Sequence, residues 1–185
     1  MSDATETTGT NSDDVWRAPE VERPGGSNVA PERQAVEELL EYHRATLLWK
    51  CGGLTGEQLA QRSCPPSTLS LLGLVRHMAE VERSWFRDRI AGEGVERIYG
   101  DWDSAFDDLD PARAAEDFAT YAAEVEAARA VLATKDYDDT FTYTHRRGED
   151  TIDIRALALH MVEEYARHNG HADLLRQAVD GRTGE

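Results

Sequence analysis

The chain has 185 residues, with 36 acidic and 20 basic side chains and a formal net charge of -16. That length suits one domain plus a tail. So acidic a chain disfavours nucleic acid, whose phosphates need basic partners, and an anionic membrane surface; its ordinary consequence is solubility.

No run of about 18 apolar residues marks a transmembrane helix, and no basic-then-apolar stretch at the N-terminus marks a signal peptide. A cytoplasmic protein with reduced Cys51 and Cys64 is therefore expected. Residues 1–30 are rich in Ser, Thr, Asp, Glu, Gly and Pro, and Trp16 and Val21 are isolated apolar residues among them. Such a segment buries too little surface to offset its ordering entropy, so a disordered tail is expected over 1–30 and a folded domain over 31–184.

Four segments then carry helical periodicity. The first runs from about Pro31 to Cys51, with Val36, Leu39, Leu40, His43 and Leu47 at three- and four-residue spacing and Gly52-Gly53 as its stop. The second runs from about Ser67 to Ala91, behind Pro65-Pro66, with Ser67 or Thr68 as its cap. Leu71, Leu74, Val75, Met78, Val81 and Trp85 form its apolar stripe. The connection from Gly94 to Asp110 carries Tyr99, Trp102 and Phe106, and an aromatic connection of that length is expected to cover a site or a core edge. The third helix starts at Asp110-Pro111 and reaches about Lys135, with Phe118, Tyr121, Val125, Ala128 and Leu132 inward. The stretch from Phe141 to Asp150 reads as irregular, with room for a short extended piece or a turn at Arg147-Gly148. The fourth helix runs from Asp150 or Thr151 to Val179, ended by Gly181. Four amphipathic segments without a strong strand signal predict an all-α fold, a four-helix bundle.

The fourth helix carries the chemistry in HMVEEYARHNGHADLL, from His160 to Leu175. With Glu164 at zero and about 100° per residue, Leu157 falls at roughly 20°, His160 at -40°, His168 at 40°, His171 at -20° and Leu175 at 20°. One narrow face is thus apolar at both ends and polar in its middle. Burying a carboxylate and imidazoles is costly unless they pair or bind a metal. Glu164 and His168 lie one turn apart and suit a shared ion. A third ligand must come from a facing helix, and the candidates are His43 and His77. His77 borders the apolar stripe of the second helix beside Ser70, Gly73 and Ser84, small residues that leave room for an ion. His77, Glu164 and His168 make a two-nitrogen, one-oxygen set suited to Zn²⁺, Ni²⁺ or Fe²⁺. The competing reading is a surface Glu/His hydrogen bond. His160 and His171 are read as groups lining the site, His43 as either a core or a site residue, His145 as an exposed loop residue and Asp173 as off the face. Trp49, Trp85 and Trp102 are read as core or site-lining, and Cys51 as an inert helix-end thiol. No phosphate loop, nucleophile elbow or H-E-x-x-H motif is present.

Three stretches carry a resemblance: ATLLWKCGGLTGEQL (Ala45 to Leu59), LSLLGLVRHMAEVERSWF (Leu69 to Phe86) and HMVEEYARHNGHADLLRQAVDGRTG (His160 to Gly184). With them the chain resembles the DinB-like, or YfiT-like, metal-dependent superfamily, and within it a domain family of unknown function common in actinobacterial proteins. The resemblance implies a four-helix bundle with a metal at one end, held by a histidine of the second helix and an i, i+4 pair on the last. Many members have histidine at both positions of the pair; Glu164 at the first departs from that pattern. The departure resembles the histidine-glutamate-histidine set of the mycothiol-dependent maleylpyruvate isomerase branch, and the ligands it implies fall on His77, Glu164 and His168. Characterised relatives are thiol-dependent isomerases and S-transferases that use mycothiol, bacillithiol or glutathione. The implied activity is a metal-activated thiolate, mycothiol-type, attacking an electrophilic small molecule, with zinc first and nickel or iron next. His171 or His160 would serve as the catalytic imidazole that moves protons or orients a ligand. The alternatives are a metal-dependent hydrolase using bound water, and a non-catalytic metal- or ligand-binding stress protein, dimeric through a helix face.

Overall fold

The computed structural model describes residues 15–101 and 103–184. Among them are six α-helices and one two-stranded sheet: α1 Glu32–Cys51, α2 Gly56–Ala60, α3 Leu71–Glu82, α4 Ser104–Asp107, α5 Ala114–Leu132, β1 Thr140–His145, β2 Gly148–Asp153 and α6 Ile154–Asp180. The protein is mostly helical, and the hairpin is its departure from an all-α expectation. No helix among the described residues is long and apolar enough to cross a membrane.

The caps explain the boundaries. The helix expected from Ser67 begins at Leu71, because Ser70 is the residue whose Oγ accepts from the Gly73 N–H (3.1 Å). Beyond Glu82 the same helix continues to Ile90 in π-helical form, with Ala91 N–H reaching back five residues to Phe86 O. Asp110 caps a single 3₁₀ turn, Pro111–Arg113, that leads into α5. Residues 148–153 belong to β2, so α6 starts only at Ile154, where the Asp153 carboxylate accepts from the Ala156 N–H at 2.7 Å. Gly181, with φ of 79°, closes it. The short helix α2 escaped the periodicity reading, although Thr55 and Gln58 form a capping box at its start.

The long helices carry the core. Asn169 meets His43, Arg176 meets the carbonyl of Lys50 and Arg155 meets Glu32, so α1 and α6 run parallel. Contacts of Arg83 with Glu124 and of Arg76 with Asp117 run α5 parallel to α3, while Arg44 to Glu82 and Trp85 to His160 set α3 antiparallel to α1 and α6. Leu40, Leu47, Leu71, Leu74, Met78, Tyr121, Leu157, Met161 and Tyr165 fill the space between them. At its centre a buried polar network joins Arg44, Glu82, Tyr165 and Tyr121.

The hairpin pairs His145 with Gly148 across Arg146-Arg147, the place where the sequence allowed a turn. Trp85 anchors it through ring contacts with Tyr143 at 5.0 Å and Phe141 at 6.5 Å. The expected tail covered 1–30; residues 1–14 lie outside the described residues. Of the rest, Trp16 meets Phe118 edge-on at 5.3 Å. Ala18 is buried, and its N–H donates to Leu54 O while its carbonyl accepts from Gly53 N–H, both at 2.9 Å.

Candidate functional site

Helix periodicity places Glu164 and His168 one turn apart on α6, and the antiparallel packing of α3 brings His77 opposite them. One ligand atom from each of His77, Glu164 and His168 lies within 4.8 Å of the others. The rings of His77 and His168 meet edge-on at 4.7 Å. The Nε2 of His168 is 3.5 Å from Glu164 Oε2, and Arg167 Nη1 donates to the other oxygen of Glu164 at 3.2 Å. The side chains of His168 and Glu164 are 11% and 15% exposed, shielded enough for charge to matter yet open to a small ligand.

Burial, and secondarily the neighbouring His168, pushes the pKa of His77 down to about 4. Burial lowers that of His168 as well, with Glu164 opposing the shift and His171 and Arg167 assisting it. Both imidazoles are thus neutral at pH 7 and keep a lone pair for a cation other than the proton. Donors sharing one ion at about 2.1 Å stand roughly 3 to 4 Å apart, so the set needs a closing of about 1 Å. Two neutral imidazoles and a carboxylate fit a divalent first-row ion.

His171, one turn further along α6, faces His168 with 3.3 Å between their Nδ1 atoms. His160 stands elsewhere on the same seam, its ring 5.2 Å from Trp85 and its Nδ1 3.9 Å from Glu163. His43 is engaged with Asn169, whose Nδ2 donates to the His43 carbonyl at 3.0 Å and lies 3.3 Å from its Nδ1. His145 pairs with Asp150 across the hairpin, and Asp173 pairs with Lys50 at the far end of α6. Cys51 is fully buried, which pushes its thiol up to about 12 and leaves it unreactive. Trp49 lies under the Arg23 guanidinium; Trp102 lies outside the described residues.

The connection between α3 and α5 does cover the site. Phe106, on α4, lies over His77 with ring centroids 5.0 Å apart and planes inclined by 30°. The room beside His77 attributed to Gly73 is therefore taken: a Cβ on Gly73 would stand 3.0 Å from Phe106 Cδ1. Ser70 is spent on its cap, and Ser84 accepts from Arg89 at 2.6 Å. Arg76 holds α4 in place by donating to Asp108 O at 2.7 Å and Ser104 O at 3.1 Å, and Arg62 donates to Phe106 O at 3.2 Å. Sequence reading did not single out Arg62, Arg76 or Arg167. The one signal available was position, since Arg76 adjoins His77 and Arg167 adjoins His168.

A family model described as mycothiol S-transferase matches residues 35–181. The match spans most of the chain, and the protein belongs to that family, in line with the DinB-like resemblance of its second and last helices. No curated protein and no solved structure matches the chain.

Proposed function

We propose that this member of the mycothiol S-transferase family is a DinB-like four-helix bundle over residues 31–184 that transfers a low-molecular-weight thiol of the mycothiol type onto an electrophilic small molecule in a metal-dependent reaction. The observation that carries the reading is the convergence of His77, Glu164 and His168 from two helices within 4.8 Å, in a chain of this family.

The three side chains would hold one divalent ion, zinc first and nickel or iron next. When bound, such an ion supplies a Lewis acid that favours the deprotonated form of the thiol. The protein's own contribution is electrostatic and steric. Burial keeps His77 unprotonated, and Arg167 holds the outer oxygen of Glu164 so that the inner one faces His168. Phe106 walls one side against water. The thiol proton leaves to solvent. The sulfur electron pair then forms a carbon–sulfur bond as the electrophile's leaving group departs with its own pair.

The test is elemental analysis of wild type and His168→Ala, paired with conjugation of mycothiol to monochlorobimane. The expected result is about one equivalent of zinc, nickel or iron in wild type, as for a single set of three protein ligands with one position left open, with metal and conjugation both lost in the variant. Absence of metal, with none taken up on titration, would sink the metal reading. Metal without thiol conjugation would leave a binding protein or a hydrolase.

A further inference from the structure

We infer that His171 is a positioning residue for His168: it accepts a hydrogen bond from His168 Nδ1–H and thereby presents Nε2 of His168 to the ion. The inference rests on the metal-site reading above and adds to it which nitrogen ligates and what holds the ring.

The two nitrogens of His168 face different neighbours. Its Nε2 is the atom 3.5 Å from Glu164 Oε2, and the centroid of the His77 ring lies 4.7 Å from that of His168. Its Nδ1 lies 3.3 Å from His171 Nδ1. A neutral imidazole carries one N–H. If Nε2 gives its lone pair to a cation, the proton stays on Nδ1 and points at His171. The Nδ1 of His171 must then be the lone-pair nitrogen, with that ring's own proton on Nε2. A ligating histidine whose other N–H is held in this way has its tautomer and ring rotation set together. Helix geometry supports the pairing, because residues three apart lie on one face, and the two rings meet at 5.3 Å, inclined by 66°.

The choice of an imidazole as acceptor also has a charge consequence. A carboxylate at position 171 would add a second negative charge beside Glu164. A neutral acceptor leaves a dication and one carboxylate with a net charge of plus one, which a single thiolate neutralises. His171 thus holds the ligand without weakening the site's attraction for an anionic sulfur.

The test is Co²⁺ titration of wild type, His171→Ala, His171→Asn and His171→Gln, followed by the visible d–d bands, with a thermal unfolding midpoint for each variant. Asparagine can place an acceptor oxygen near the position of Nδ1, whereas glutamine places it a bond further out. Loss of an outer partner of this kind weakens affinity about 10- to 100-fold. That loss is expected for alanine and glutamine, with asparagine recovering most of the affinity and band positions unchanged throughout. Wild-type affinity in His171→Ala, or asparagine no better than alanine, would overturn the role. A changed band pattern in His171→Ala would make His171 a ligand and overturn it too. Failure of wild type to bind Co²⁺ would instead remove the metal reading itself, a distinguishable result.

Discussion

Replacing Glu82 by glutamine removes one charge from the centre of the core and turns one of its two accepting oxygens into an NH₂ donor. Glu82 is fully buried and Arg44 is 3% exposed. Arg44 Nε and Nη2 donate to the two oxygens of Glu82 at 2.8 and 2.7 Å, and the Tyr165 hydroxyl donates to one of them at 2.7 Å. Taking one partner from a buried, hydrogen-bonded ion pair costs about 3–5 kcal/mol, since the other charge is left without compensation. The two halves are not equivalent. Arg44 keeps a second carboxylate, Glu41, at 2.6 Å, so Glu82→Gln belongs at the lower end, about 3 kcal/mol. Among the described residues Arg44 is the cation hydrogen-bonded to Glu82, so Arg44→Met belongs at the upper end, about 5 kcal/mol. With an m-value of about 2 kcal/mol per molar urea, these are midpoint shifts of roughly 1.5 and 2.5 M. The double variant Arg44→Met/Glu82→Leu leaves no lone charge and should be more stable than either single one. The assay is equilibrium urea unfolding followed by far-UV circular dichroism. Single-variant shifts under 0.5 kcal/mol would refute the reasoning, and so would a double variant less stable than both singles.

Three further outcomes are expected. In metal-free protein, His77 stays neutral down to about pH 4, while the unfolded chain takes up that proton near pH 6.5. Stability is therefore independent of this group above pH 6.5, falls as the pH drops from 6.5 to 4, and levels off below; the loss is about 3 kcal/mol, and His77→Gln should remove most of it in unfolding curves taken across that range. Gly73→Ala drives a methyl to 3.0 Å from Phe106, so it should cost about 1–3 kcal/mol and displace the Phe106 ring, read by the ¹H shifts of His77; unchanged shifts would refute the contact. Trp85→Ala removes the ring that Phe141, Tyr143 and His160 touch; limited proteolysis should then cut the hairpin at Arg146 or Arg147 at least tenfold faster, from the loss of about 1.4 kcal/mol or more of local stability.

The features legible in the sequence are those that depend on neighbours along the chain. Three- and four-residue spacing located the long helices, Asp110-Pro111 and Gly181 marked ends, and the four-residue step from Glu164 to His168 put both on one face wherever α6 packs. Local rules competed where a helix was drawn too long. Ser67, Thr68 and Ser70 are all chemically able to cap, and only the fold chose Ser70. The hairpin was half legible: β1, TFTYTH, alternates Thr with ring-bearing side chains and its burial alternates in step, whereas β2, GEDTID, is polar and mostly exposed and carries no such period. Contacts between distant segments belong to the tertiary structure alone. The antiparallel seating of α3 on α6 brought His77 rather than His43 to Glu164 and His168, and it gave His43 to Asn169 instead. Filling of the space over Gly73 by Phe106, and the hold of Arg76 on α4, follow from packing between residues some thirty positions apart. Periodicity specifies which side of a helix is buried; which side chains it meets there is set by how the helices dock, through volumes and hydrogen bonds that no single segment contains.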